Sequence, residues 1–388
     1  MLVMAVSYLD RQVFAVLAPT ITRELGVSDV QYGWLNSAFA LAYLVGALIA
    51  GRWIDRVGCR RGLVRAVLAW TLVAASHVAS AGFASLCLLR TALGLAESPS
   101  FLGAAQAVRA GVSPVRRPAA IGFLYTGSSF GAALAPVLGI ALSEHFGWRT
   151  AFIATASFGL LWIPFWLFAT KRVPSLLNHA QSRASTPVKL TNHAAVIRAG
   201  LLMLGVAPLI AFYLLWAPKF LVATYGSSGQ EMASRLWIPP LCFDSGSLLF
   251  GWLAATALRR GARRAPYRTL AIPALVLSLC VAVTPHAPNS WLAIAWGGLA
   301  LIGAGGLYAI LTADLLTRVP LATTGAAAGF MAAAQSIAHV IANPSIGWLV
   351  QHSGGYVWAC LALAIWIAPL TAAWWIWQPA EIITGGEP

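Results

Sequence analysis

Gly51-Arg-Trp-Ile-Asp-Arg-Val-Gly-Cys-Arg-Arg-Gly62 is the stretch on which the fold of this chain turns. It is short, strongly basic and bounded by glycine, and it joins two apolar runs, residues 31–54 and 62–81, each about as long as a bilayer-spanning helix. A basic turn between two such runs reads as a helical hairpin in a membrane, with the turn at the cytoplasmic surface. The pattern recurs six runs later. Gly251-Trp-Leu-Ala-Ala-Thr-Ala-Leu-Arg-Arg-Gly261 closes the apolar run 232–257, so the chain reads as two related halves. Paired halves imply a cavity at their interface, where secondary transporters hold substrate near the bilayer midplane.

The rest of the sequence agrees with this hairpin. Of 388 residues, 59% are hydrophobic and 9% charged, against roughly 25% charged in a soluble domain, so a water-facing surface cannot be built. The apolar segments are continuous and lack the alternation of lipid-facing strands, which excludes a transmembrane barrel. Lys and Arg number 25 against 11 Asp and Glu, a balance that suggests nucleic acid only until the loops are read. The cations concentrate in loops that would face anionic lipid. The five cysteines are scattered, without a Cys-x-x-Cys pair, and read as small buried hydrophobes. No disulfide framework, metal site or cofactor is indicated.

At roughly 30 residues per span plus loop, the chain has room for about twelve helices. They are expected at 2–19, 31–54, 62–81, 83–108, 117–142, 148–170, 194–222, 232–257, 267–283, 291–315, 323–350 and 356–377. The fold expected is all-α and membrane-embedded, with a six-helix bundle over 1–170, a polar cytoplasmic linker over 171–193 and a second six-helix bundle over 194–388. Basic residues follow helix two (Arg56, Arg60, Arg61), helix four (Arg116, Arg117), helix six (Lys171, Arg172, Arg183, Lys189) and helix eight (Arg259, Arg260, Arg263, Arg264), whereas the other loops carry little besides Arg23 and Arg149. The positive-inside rule then places both termini in the cytoplasm. The first helix, ~28 Å from Met1 to Pro19, is barely a span, which leads us to expect further residues upstream. Asp10 and Arg11 interrupt it, which argues against a signal peptide.

These residues resemble a known group. Gly51-x-x-x-Asp55-Arg56-x-Gly58-x-Arg60-Arg61 resembles the signature between helices two and three of the major facilitator superfamily, in sequence and in topological place. Tyr8-Leu-Asp10-Arg11-Gln12 and Arg90-x-x-x-Gly94-x-x-Glu97 resemble its anion:cation symporter branch, which includes transporters of hexuronates, aldonates, sialic acid and glutamate. Residues 9–19, Gln31-Tyr-Gly-Trp34, Phe212-Tyr-Leu-Leu-Trp-Ala-Pro-Lys219 and residues 244–249 look closest to bacterial hexuronate transporters. Departures from the pattern are Ala255 where the first half has Asp55, the absence of a proline after Phe101, and His339 in helix eleven. They bear on the substrate and leave the fold untouched.

A charge at the bilayer centre costs about 2.5–3.5 kcal/mol even on the lenient insertion scale, so each one needs a partner, a wet cavity or a function. Arg11 fits two roles: a bidentate ligand for a substrate carboxylate, or a structural partner of Asp10 or Glu97. Adjacent residues diverge by about 100° on a helix, so Asp10 is the poorer partner. Glu97 and Asp10 are the buried acids of the first half, and desolvation makes protonation of a buried carboxylate accessible during transport. The resemblance implies that both serve in proton coupling. Arg90 can extend this network or hold helix four against a neighbour. Lys219, after Pro218, can aim into a cavity or snorkel to the interface. Asp244 matches an acid of the hexuronate group, or hydrogen-bonds locally.

Gln335, His339 and Asn343 recur every four residues and form one polar stripe on helix eleven, suited to sugar hydroxyls or to neighbouring helices. Tyr8, Tyr43, Tyr125 and Trp216 are candidate liners for a sugar ring, or plain packing and interface aromatics. Gly51, Asp55, Arg56, Gly58, Arg60 and Arg61 are assigned to gating, with Gly58 giving the turn, and Asp314, Arg318 and the run at Arg259 are their counterparts in the second half. Gly127-Ser-Ser-Phe-Gly131 fits a hydrolase motif that has meaning only at a strand-to-helix turn. Inside a membrane helix, with Ala135 and Gly139, it reads as a small-residue packing face.

The function these readings point to is proton-coupled import of a sugar acid, a hexuronate first, by alternating access. The partners are the organic anion, protons and lipid, with no nucleic acid, and the working unit is a monomer. Another organic anion (an aldonate, a dicarboxylate or an aromatic acid) is the alternative substrate, and a sensor that does not transport is the alternative class. An enzyme is not indicated.

Overall fold

The computed structural model describes residues 1–173, 176, 193–260, 262, 266–320 and 323–379. Most of the expected linker, with Arg183 and Lys189, and Arg263 and Arg264 after helix eight lie outside these residues. The helices are α1 (Leu2–Val16), α2 (Ala18–Glu24), α3 (Asp29–Val57), α4 (Cys59–Ser76), α5 (Phe83–Glu97), α6 (Pro99–Gly111), α7 (Arg117–Phe146) and α8 (Trp148–Thr170). There follow α9 (His193–Ala211), α10 (Ala217–Tyr225), α11 (Gly229–Arg235), α12 (Ile238–Arg259), α13 (Tyr267–Ser278), α14 (Ser290–Leu316), α15 (Thr324–Ser353) and α16 (Val357–Ile376).

All twelve expected spans have their counterparts. Nine are helices long and apolar enough to cross a membrane among the described residues, and α1 with α2 makes a tenth that is bent by 52°. The remaining two are α5 with α6, and the shorter apolar stretch Tyr267–Ala282.

Proline accounts for two departures from the expected continuous helices. Pro19 opens α2 and cannot donate to a carbonyl one turn back, so the first span breaks at Leu17. Pro99 breaks the fourth span in the same way, and the Ser98 hydroxyl donates to the freed Leu95 carbonyl at 2.8 Å. Glu97, expected mid-helix, is therefore the last residue of α5. The seventh span changes pitch: a π-helix over Phe212–Trp216 joins α9 to α10, with Pro218 in the first turn of α10.

The two halves start their second spans alike. Gly26 and Gly226 both take left-handed φ, near 62° and 63°, and Ser28 and Ser228 then cap α3 and α11 in reciprocal boxes with Gln31 and Glu231. Gly58, with φ 83°, makes the tight turn between α3 and α4.

By packing, the described residues fall into two units: Met1–Ser185 with Leu214–Trp237 and Asn343–Gln351, and Thr186–Tyr213 with Ile238–Ala342 and His352–Pro388. In the first, glycine brings backbones together. A Cβ at Gly131 would overlap the Ala5 carbonyl, and one at Gly127 the Met1 carbonyl, so the Gly-x-Ser-x-Gly stretch is the face on which α7 meets α1. Gly94 packs α5 on Phe39 of α3 likewise. In the second unit Gly246 and Gly305 let α12 and α14 touch, and the Ser247 hydroxyl donates to the Gly305 carbonyl at 3.0 Å.

Candidate functional site

Within the first unit, α1, α3, α4 and α5 bring three buried charged residues, Asp10, Arg90 and Glu97, together with the partly buried Arg11. Glu97 is fully buried at the break after α5. Its Oε2 accepts from the Ser7 hydroxyl at 3.1 Å and from Arg11 Nε and Nη2 at 3.2 and 2.8 Å. Its Oε1 has no hydrogen-bond partner. Of the two partners open to Arg11, the structure selects Glu97, as the divergence of adjacent helical residues requires.

The Arg11 guanidinium is enclosed by aromatic faces, with Tyr8, Phe39 and Tyr43 centroids at 4.7, 4.9 and 5.0 Å. Such contacts stabilise a cation that has left water. Phe39 also serves Arg90, whose guanidinium carbon lies 4.5 Å from the Phe39 and Phe14 centroids. Arg90 is 1% exposed, and its Nε and Nη1 make no hydrogen bond. Asp10 is also buried, with neither carboxylate oxygen hydrogen-bonded; it faces the indole N–H of Trp70, itself without a partner.

This arrangement can exchange partners. A neutral Glu97 would hold Arg11 less strongly, leaving the guanidinium fork and the aromatic walls to a carboxylate ligand, to which the carboxylic O–H can donate.

A second cluster in the same unit holds Lys219 and Trp216. Lys219 Nζ lies 2.9 Å from Asp29 Oδ1 and donates to the Thr22 hydroxyl at 2.9 Å. Trp216 is fully buried; its indole donates to Asn343 Oδ1 at 3.0 Å and its ring meets Tyr32 edge-on at 4.9 Å. The Tyr32 hydroxyl donates to the Leu215 carbonyl in the π-helix at 2.6 Å.

The sequence-based set therefore divides. Tyr8, Asp10, Arg11, Tyr43, Arg90 and Glu97 converge. Tyr125 is half exposed, its ring tilted against Phe101 with centroids 5.2 Å apart, at the margin of that group. Lys219, Trp216 and Asn343 belong to the second cluster, while Gln335 and His339 of the same helical stripe lie in the second unit. Asp244 is partly buried on α12.

Of the signature residues, Asp55 accepts from Gln106 Nε2 at 2.5 Å, and Arg60 donates to Thr170 Oγ1 at 2.8 Å and to the Leu167 carbonyl at 3.2 Å, at the C-terminal end of α8. A cation there complements the helix dipole. Arg56 and Arg61 are exposed.

Sequence reading passed over Ser7, Trp70 and Arg198. Arg198, 1% exposed on α9, pairs with Asp314, donates from Nε to the Trp374 carbonyl at 2.8 Å and stacks on that ring at 4.1 Å. Arg318 also binds Asp314, at 3.1 Å. An arginine five residues inside an apolar run was the signal for it.

Residues 1–276 match the family model of the Major Facilitator Superfamily. The chain belongs to the Major Facilitator Superfamily. It is thus an integral membrane protein of a transporter family. Superfamily relatives include a D-galactonate transporter of Escherichia coli O6:H1, 26% identical over 380 residues, covering 90% of this chain and 87% of the relative. The hexuronate transporter of Bacillus subtilis is 25% identical, covering 92% and 87%. The galacturonate transporter of Dickeya chrysanthemi is 27% identical over 267 residues, covering 63% and 76%. Among solved structures, a bacterial homolog of the human lysosomal transporter Spinster in an inward-facing, unoccupied conformation superposes with a TM-score of 0.79 at 18% identity, covering 98% of this chain and 97% of that one. That likeness shows the superfamily fold.

Proposed function

We propose that this protein imports a sugar acid together with protons by alternating access, with a hexuronate as the first candidate substrate. The observation that carries the reading is the buried Glu97 carboxylate held by Arg11 and Ser7 beside the unpartnered Asp10. Proton uptake by Glu97 releases Arg11 to the substrate carboxylate, and the aromatic faces of Tyr8 and Tyr43 receive the sugar ring. Asp10 supplies the second proton-binding group, and Arg90 raises the local positive potential. Release of the anion lets Arg11 return to the deprotonated Glu97.

The orientation proposed follows the basic loops: the turn at Gly58 is cytoplasmic, as are both termini, and the membrane is the bacterial inner membrane. The signature residues Asp55 and Arg60, anchored to Gln106 and to the end of α8, act in gating on that side. The protein works as a monomer and as a transporter, not an enzyme. An aldonate is the second substrate reading, favoured by the match to a D-galactonate transporter over 90% of this chain.

Uptake of labelled galacturonate, glucuronate and galactonate into proteoliposomes, with and without an inward proton gradient, tests the assignment. Wild type accumulates one of them only with the gradient, Glu97→Gln loses gradient-driven accumulation, and Arg11→Ala loses binding. Intact gradient-driven accumulation by Glu97→Gln overturns the coupling role.

A further inference from the structure

The second cluster of the first unit has no part in the exchange just described. Lys219 is 13% exposed and Asp29 28%, and the ammonium of Lys219 also lies 5.3 Å from the Tyr32 centroid. Around this pair, residues distant in sequence lie backbone to backbone. A Cβ at Gly33 would overlap the Asn343 carbonyl, and one at Gly347 the Asp29 carbonyl. The Val30 amide donates to Gln351 Oε1 at 3.3 Å. Beneath the ion pair, Tyr32 and Trp216 close the layer through the Leu215 carbonyl and Asn343. Asn36, one turn further along α3, is 2% exposed and donates to the Tyr32 carbonyl.

We propose that Lys219 is an anion-capture residue at the outer end of the transport path, where Asp29 holds the place of the substrate carboxylate while the path is shut. The physical reason is the ammonium's need for a counter-charge. Nearly buried against Tyr32, it cannot lose Asp29 to water alone without a desolvation cost, whereas an arriving carboxylate replaces Asp29 charge for charge. An ion pair with one partly exposed partner is a modest interaction, so the two states lie close in free energy and the exchange is reversible. Anions thereby open the layer made by Tyr32 and Trp216, and neutral sugars do not. The glycines at 33 and 347 keep the shut state tight without side-chain bulk, and the Tyr32 hydroxyl must release the Leu215 carbonyl on opening.

This inference rests on the anion-import reading and on the orientation proposed with it. Its test uses Asp29→Asn and Lys219→Met in the full chain, each also carrying Asn36→Cys as a reporter of opening. Labelling of that cysteine from outside by a membrane-impermeant maleimide is measured above the parent bearing only the five native cysteines. Both variants lose the pair, so both label several-fold faster. KM for galacturonate then separates capture from simple closure: Asp29→Asn removes the competing carboxylate and lowers KM several-fold, whereas Lys219→Met raises it.

Unchanged labelling overturns the closure, and KM moving in the same direction in both variants overturns the capture role. Absence of wild-type galacturonate uptake, with labelling raised in both variants, overturns the hexuronate reading while the closure stands, and the KM comparison is then made with galactonate, the second substrate reading.

Discussion

Asp314→Ala in the second unit gives the largest stability effect we predict away from the candidate site. Asp314 accepts from Arg198 Nη1 at Oδ2, and from Arg318 Nε at 3.1 Å to each oxygen and Nη2 at 3.1 Å. The side chains of Arg198, Asp314 and Arg318 are 1%, 6% and 5% exposed, so water cannot replace these contacts. Removing the acid strands Arg198, the more buried cation, and breaking a buried pair by deleting one partner costs about 3–5 kcal/mol. Arg198→Met is the informative control. It leaves Asp314 with Arg318 one helical turn away and puts an apolar chain against Trp374, so its cost is that of lost charge-assisted hydrogen bonds, about 1.5–3 kcal/mol. Unfolding of the purified protein in one detergent, followed by SDS titration at neutral pH, ranks the two. Asp314→Ala must be the more costly of the two. Equal losses, or a larger one for Arg198→Met, would show that packing on Trp374 and not charge compensation holds α9 to α14, and the reasoning would fall.

Three further outcomes follow from particular contacts. Gly131→Val drives a side chain into the Ala5 carbonyl and destabilises α1 against α7 by at least the ~1–3 kcal/mol of ordinary overpacking, seen as loss of monodisperse protein on size-exclusion chromatography. Ser98→Ala leaves the Leu95 carbonyl without its hydroxyl donor and costs about 1 kcal/mol in the same SDS titration, with Ser98→Thr restoring most of it. Hydrogen bonds from Arg149 and then Trp148 hold the Glu24 carboxyl below its ordinary range, so its contribution to stability is present above that range and fades as pH falls through the lowered value. The stability gap between wild type and Glu24→Gln should therefore shrink on acidification; a gap that widens contradicts the sign.

The sequence made the spans and the first cluster legible for different reasons. Spans are set by apolar length, which composition reports directly, and even the bent and broken ones kept their places. Arg11, Glu97, Asp10 and Arg90 stood out because an intramembrane charge is costly wherever it falls. Partner choice was less legible. Lys219 read as a candidate for substrate because its nearest acid, Asp29, sits far off in sequence at the start of another helix, where an acid is ordinary capping chemistry. Asn343 likewise left its helical stripe, because periodicity gives the face of a residue but not which neighbour lies across from it. Ser7 went unnoticed since a serine on an apolar helix is cheap, and only the position of Glu97 gives it a role.

The helix breaks and the clusters fall together for a reason that chemistry supplies. Inside a bilayer a backbone carbonyl that loses its helical donor must find another, so a break persists only where a side chain reaches it. At the fourth span that side chain is Ser98, and the break leaves Glu97 at a helix end, beside Ser7 and Arg11. At the seventh span the Tyr32 hydroxyl donates to the Leu215 carbonyl within the π-helix, which fixes Tyr32 near Lys219 and against Trp216. The first span breaks at Leu17, and the short helix that follows carries Thr22 to the same ammonium. Each irregular stretch therefore lies beside a polar side chain of one of the two clusters. It also concentrates the exchangeable hydrogen bonds of the first unit at the positions where the transport reading requires partners to change.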